Sequence, residues 1–164
     1  MGVTRYAQTN LAAVFGISTS ALQQMLRTKR MSNMDGKLKH LEFIQGTVNR
    51  LSTNSFLLKG WSVVLISALF VLSGSETDPK FTWLAFLPAI VFWGLDGYFL
   101  WQERLYRRLY DHVREKNADD IDFSMDTRDF FGEVGGWLKA VLSKTLIPFH
   151  GVLVVAIIVV MILL

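Results

Sequence analysis

Cysteine is absent from the 164-residue chain. Its absence excludes disulfide scaffolds, zinc–thiolate sites, iron–sulfur clusters and cysteine nucleophiles. Histidine is scarce, and His40, His112 and His150 fall in different segments without metal-ligand spacing. There is no phosphate-binding glycine loop and no Ser/His/Asp arrangement, so no enzymatic site, cofactor or metal is expected. The balance of 17 basic against 14 acidic side chains, net +3, does not describe a dedicated nucleic-acid binder. A cleavable signal peptide is not expected either. The first apolar patch, 11–17, is short, holds Gly16 and is followed by polar sequence rather than a small-residue cleavage site.

What the chain does have is a hydrophobic content of 51%, gathered into blocks. Residues 56–72, FLLKGWSVVLISALFVL, carry a single charge, Lys59, and read as a spanning helix. Residues 81–101, FTWLAFLPAIVFWGLDGYFLW, also carry one charge, Asp96, with aromatic residues toward both ends as at water–lipid boundaries. The intervening SGSETDPK suits a tight antiparallel hairpin, with Gly74 ending the first helix and Pro79 helping to start the second. A third block, 147–164, has no charged residue and would extend roughly 27 Å as a helix, just enough to span. Pro148 is expected to kink the chain at its start.

The fold class expected is therefore an all-α integral membrane protein. It has a transmembrane helical hairpin at 56–101, a cytoplasmic helical extension and a C-terminal transmembrane helix at 147–164. Seven Lys/Arg residues precede position 56, the turn has only Lys80, and eight lie within 102–146. Lysine and arginine favour the cytoplasmic side, so the N-terminus and 102–146 are assigned there, with the hairpin turn and C-terminus outside a bacterial inner membrane.

Lys59 and Asp96 are the two ionisable residues inside the hairpin spans. A charge at such depth needs a partner or a wet cavity. They lie at similar distances from the turn, so a straight hairpin makes them face each other. One reading is an ion pair that fixes helix register, the other a proton or ion relay. Asn54 and Ser55, one turn earlier, are placed to cap the first helix or to line the same polar pocket. His150 reads as an interfacial histidine.

Beyond Trp101, QERLYRRLYDHVREKN keeps Leu105, Leu109 and Val113 at helical spacing, so one helix from about 82 to 116 is expected to form a cytoplasmic stalk. Arg104, Arg107 and Arg108 sit where they can meet anionic lipid headgroups of the bilayer, the first partner expected. The positive-inside signal accounts for them equally. Residues 37–54 carry Leu38, Leu41, Ile44, Val48 and Leu51 on one stripe. This amphipathic helix is expected to lie on the membrane or, preferably, to pack on the stalk. Residues 117–128, with Asp119, Asp120, Asp122 and Asp126, lack calcium-loop spacing and read as a solvated acidic connector. A further helix is expected over 129–146, weakened by Gly132, Gly135 and Gly136.

Residues 1–33 differ in character. In RYAQTNLAAVFGISTSALQQMLRT (5–28), Leu11, Ala12 and Phe15 face inward, Gly16 turns, Ser18 caps and Ala21, Leu22 and Met25 face back. Through Arg5, Gln8, Thr9, Ala12, Gly16, Ser20 and Ala21 the stretch resembles the helix-turn-helix of Cro-type phage repressors. That resemblance implies DNA contact by Thr19, Ser20, Gln23, Gln24 and Arg27, with Lys29 and Arg30 near phosphates. From residue 34 onward, NSFLLKGWSVVL (54–65), LDGYFLWQERLYRRLYD (95–111) and FSMDT (123–127) resemble small bacterial membrane proteins of prophage and antiphage-defence type. The function expected is then a non-enzymatic inner-membrane protein that self-associates, or joins another membrane or defence protein, and perturbs the membrane or blocks infection. Alternative readings are a membrane-tethered DNA-binding regulator and an ion or proton carrier built on Lys59 and Asp96. The segments expected are 1–33, 34–55, 56–101, 102–146 and 147–164.

Overall fold

A computed structural model of the chain describes residues 14, 16, 18–74 and 83–163. The described residues are helical, with no strand among them. Helix α1 (Thr19–Gly74) is 56 residues long. Ser18 starts it: its Oγ accepts the Ala21 N–H at 3.2 Å, relieving one of the orphan donors of the first turn. No break falls at 33/34 or at 55/56, so what reads in sequence as a DNA-contacting helix, an amphipathic helix and a span is one continuous stretch of helix. Helix α2 (Phe86–Glu115) follows. Two 3₁₀ turns (Ala118–Asp120 and Arg128–Phe130) and the short helices α3 (Phe131–Val134) and α4 (Trp137–Val141) lead to α5 (Ile147–Leu163). Among the described residues, one helix, Thr19–Ser73, is long and apolar enough to cross a membrane, and α5 is a shorter apolar helix.

The chain divides into two compact units. The first comprises Met1–Glu42 and His112–Ser124. Within it, Lys37 Nζ donates to the carbonyls of Arg114 (2.8 Å) and Lys116 (2.6 Å), satisfying acceptors left open where α2 ends. Asn33 Nδ2 donates to Asp119 Oδ1 at 2.5 Å, and the buried His40 ring meets Phe123 edge-on with centroids 5.6 Å apart. Phe123 takes φ 56°, the left-handed region, and the connector's Asp119, Asp120, Asp122 and Asp126 are exposed.

The second unit comprises Phe43–Asp111 and Met125–Leu164. Its apolar core joins Ile66 of α1, Ala85 and Ala89 at the start of α2, and Ile157 of α5. The small side chains Ala85 and Ala89 let the helices approach closely. The helix expected over 129–146 is instead split in two. Gly135 adopts φ 77°, which breaks the first turn, and the chain turns again at 142–146 before α5. Pro148 therefore kinks nothing: it is the second residue of α5, in the first turn, where its missing N–H is not needed.

The short helices pack on α2 through glycine and tryptophan. A Cβ built on Gly97 would lie 2.3 Å from Val141 Cγ2 and 3.0 Å from Val141 Cα, so only glycine admits the backbone of α4 here. Gly97→Ala is expected to lower stability by about 1–3 kcal/mol, because rotating the Val141 side chain leaves the contact with its Cα. Gly46→Ala, in the helix interior with nothing within 4 Å of the new methyl, should gain up to about 1 kcal/mol. Denaturant titration of both variants in detergent checks the opposite signs. In the connector, the Arg128 guanidinium and its own N–H hold the exposed Asp126 carboxyl down at about 2. A depressed carboxylate keeps its interaction above its ordinary value and loses it as pH falls through the lowered one. An NMR titration should therefore place Asp126 near 2 in the native chain, and nearer 3.8 after Arg128→Gln.

Candidate functional site: a buried Lys–Asp–His cluster

Three helices each contribute one ionisable side chain to a single point. Lys59 Nζ of α1 lies 2.6 Å from Asp96 Oδ2 and 2.8 Å from Oδ1 of α2. His150 Nε2 of α5 lies 2.9 Å from the same Oδ2. Ser55 Oγ donates to Asp96 Oδ1 and accepts from Lys59 Nζ at 2.8 Å, and its carbonyl oxygen accepts from the same ammonium at 3.4 Å. Ser55 and Lys59 stand one turn apart on α1, so the i, i+4 spacing puts both on the face that meets Asp96. The Asp96 side chain is fully buried and His150 almost so, while Lys59 keeps 24% of its side-chain surface.

An isolated carboxylate in such a place would be prohibitively costly. Here Oδ1 accepts hydrogen bonds from Ser55 and Lys59, Oδ2 is met by His150 and by the Lys59 ammonium, and the Lys59 charge balances its own. With Asp96 ionised, His150 donates from Nε2, leaving Nδ1 buried with no partner among the described residues. Trp93 stacks on the imidazole, centroids 5.6 Å apart and planes 7° apart, and Phe149 meets it edge-on at 5.0 Å. One heptad further along α1 and α5, and one heptad back along α2, lie Ile66, Ile157 and Ala89 of the apolar core. α5 thus runs parallel to α1 and antiparallel to α2.

His150 is the residue that sequence reading missed as a member of the cluster. A signal was present: His150 is the fourth residue of its apolar run, as Lys59 is of the first. Three tryptophans missed in the same way fasten the short helices. Trp93 Nε1 donates to Val141 O (3.0 Å), Trp101 Nε1 to Gly135 O (2.8 Å) and Trp137 Nε1 to Gly94 O (2.9 Å).

The other candidate residues lie apart from this cluster. Arg107 pairs with Glu103 at 2.8 Å and Arg108 with Glu133 at 3.7 Å. With Arg104, Asp111 and Val134 they line a surface cavity of about 320 Å³. Thr19, Ser20, Gln23, Gln24 and Arg27 are exposed on the first turns of α1. The preceding helix of the expected helix-turn-helix lies outside the described residues, apart from Val14 and from Gly16, which turns with φ 62°. No group of three or more potential metal ligands occurs among the described residues. No family model, curated protein or solved structure matches the chain.

Removing Lys59 strands a buried carboxylate, whereas Asp96→Asn removes the charge, keeps one oxygen acceptor and turns an amide NH2 to the other partner, which the Ser55 hydroxyl or a neutral His150 ring nitrogen can accept. Lys59→Met should therefore cost about 3–5 kcal/mol and Lys59→Met/Asp96→Asn distinctly less than the sum of the single changes. A double-mutant cycle of denaturation in detergent measures this, and additive costs would show that the pair is uncoupled.

Proposed function

We propose that the chain is a non-enzymatic integral membrane protein whose hairpin and tail helix cross a bacterial inner membrane around the Lys59–Asp96–His150 cluster. The carrying observation is the apolar surface left exposed on α1 and α5 beside buried polar groups. The buried positions include Asp96, His150, Ser62 and Ser73, while Trp61, Val63, Val64, Leu65, Val71 and Leu72 on α1 and Val152, Val155, Val159 and Ile162 on α5 are exposed. Only 11% of the most apolar window of α1 is covered by the rest of the protein. Water would penalise that much exposed apolar surface, and lipid would not. The concentration of Lys and Arg in 1–55 and 102–146 supports a cytoplasmic N-terminus and an outward C-terminus.

Within that setting, the reading we favour is a prophage or phage-defence component that self-associates and perturbs the membrane or blocks infection. It rests on the resemblance carried by 54–65, 95–111 and 123–127, and on a cluster whose donors and acceptors hold helices together rather than face a substrate. Expression from an inducible promoter should depolarise cells or lower phage plating. Lys59→Met should abolish either effect, and a chain starting at Met34 should retain it. Unchanged potential and plating would remove the proposal, and loss of activity on starting at Met34 would favour the DNA-binding reading. A second reading is favoured by His150 joining Lys59 and Asp96, since three adjacent titratable groups can pass a proton. Proton flux into vesicles that survives Asp96→Asn would exclude it.

A further inference from the structure

We infer that residues 131–146, which charge counting assigns to the cytoplasm, form an in-plane element of the membrane-embedded protein and seat anionic lipid. The inference rests on the membrane reading above and adds a location and a ligand to it. Depth is transferred by hydrogen bonds. Trp137 donates to the carbonyl of Gly94, Trp93 donates to the carbonyl of Val141, and Val141 lies directly on Gly97. Gly94 is seven residues inside Trp101 on α2, about 10 Å along the helix axis. If α2 crosses the bilayer, α4 lies at the level of Asp96, below the headgroups.

The composition of the segment suits that position. Leu138 and Leu142, one turn apart, are 66% and 65% exposed on the side away from the buried Ala140, and Trp137 and Ile147 add exposed apolar surface beside them. Non-helical backbone at such depth is tolerated only where its polar groups are satisfied by protein. The Gly135 and Val141 carbonyls, where the short helices end, are the two that take indole donors. Lys139 and Lys144 are exposed on the same segment. At its α3 end, Arg104, Arg107 and Arg108 line a surface cavity together with Asp111, Glu133 and Val134. Arg107 and Arg108 have carboxylate partners. Arg104, half-buried, supplies a guanidinium for a phosphate diester. An anionic phospholipid fits both parts, its phosphate at the arginines and its acyl chains beside Leu138 and Leu142. The element is also tied to the cluster, since Trp93, which donates to Val141, stacks on His150.

The native absence of cysteine makes the test direct. Full-length Leu138→Cys, Leu142→Cys, Val155→Cys and Gln23→Cys are spin-labelled and reconstituted into vesicles of phosphatidylcholine with and without phosphatidylglycerol. Accessibility to oxygen and to a water-soluble nickel chelate is then compared. The expected result is oxygen-favouring collision at 138, 142 and 155, with chelate-favouring collision at 23. Chelate-favouring collision at 138 and 142 with oxygen-favouring collision at 155 would overturn the inference and leave the membrane reading standing. Chelate-favouring collision at 155 would overturn both. For the headgroup, Arg104→Gln should reduce preference for phosphatidylglycerol over phosphatidylcholine about fivefold, and Arg104→Lys should largely retain it. An unchanged lipid preference in Arg104→Gln would overturn the assignment of the phosphate site.

Discussion

The Asp96 carboxylate cannot remain charged in an apolar surrounding unless every lone pair is answered, and this requirement organises the second unit. Its three hydrogen bonds come from Ser55 and Lys59 on α1 and His150 on α5, and the Lys59 ammonium also pairs with the second oxygen. Each donor must approach within hydrogen-bond distance, so the contact sets the register of three helices at once. Apolar packing alone would specify that register weakly, since sliding one smooth aliphatic helix along another changes buried area little. The cluster gives a few discrete anchor points, and Ile66, Ala89 and Ile157 follow one heptad away.

The same logic, a polar group answered from a distant segment, recurs elsewhere. Trp93, Trp101 and Trp137 each spend an indole N–H on a carbonyl where a helix ends or a glycine exposes the backbone. Gly97 has no side chain to separate Val141 from α2. In the first unit Lys37 closes the C-terminal carbonyls of α2, which the connector would otherwise leave open. Irregular chain is held in place by single strong donors rather than by extensive burial.

The distribution of surface completes the picture on which the proposed membrane setting stands. Large aliphatic and aromatic side chains point outward along α1 and α5, and serines, Asp96 and His150 point inward. Inward polarity supplies directional bonds between helices, which matter most where the hydrophobic effect between helices is absent. In the proposed membrane setting the inner cluster would fix helix register and the outer faces would meet lipid.

Much of this architecture is legible in the sequence. Uncharged runs define the apolar helices, Ser18 marks the start of α1, and Leu105, Leu109 and Val113 announce that α2 continues past Trp101. These features are local: helical periodicity, caps and composition act within a few residues. Equal spacing from the turn also suffices to set Lys59 opposite Asp96, because a hairpin converts sequence distance into depth. What no local rule contains is the third partner. His150 reaches Asp96 only because α5 docks parallel to α1, and that depends on Gly135 breaking one helix, the turn at 142–146 and the contact of Val141 with Gly97. The sequence by itself determined which segments are helical and apolar. The tertiary structure alone decided which side chains share the buried carboxylate, because a charge out of water is satisfied by whatever the fold brings within about 3 Å of it.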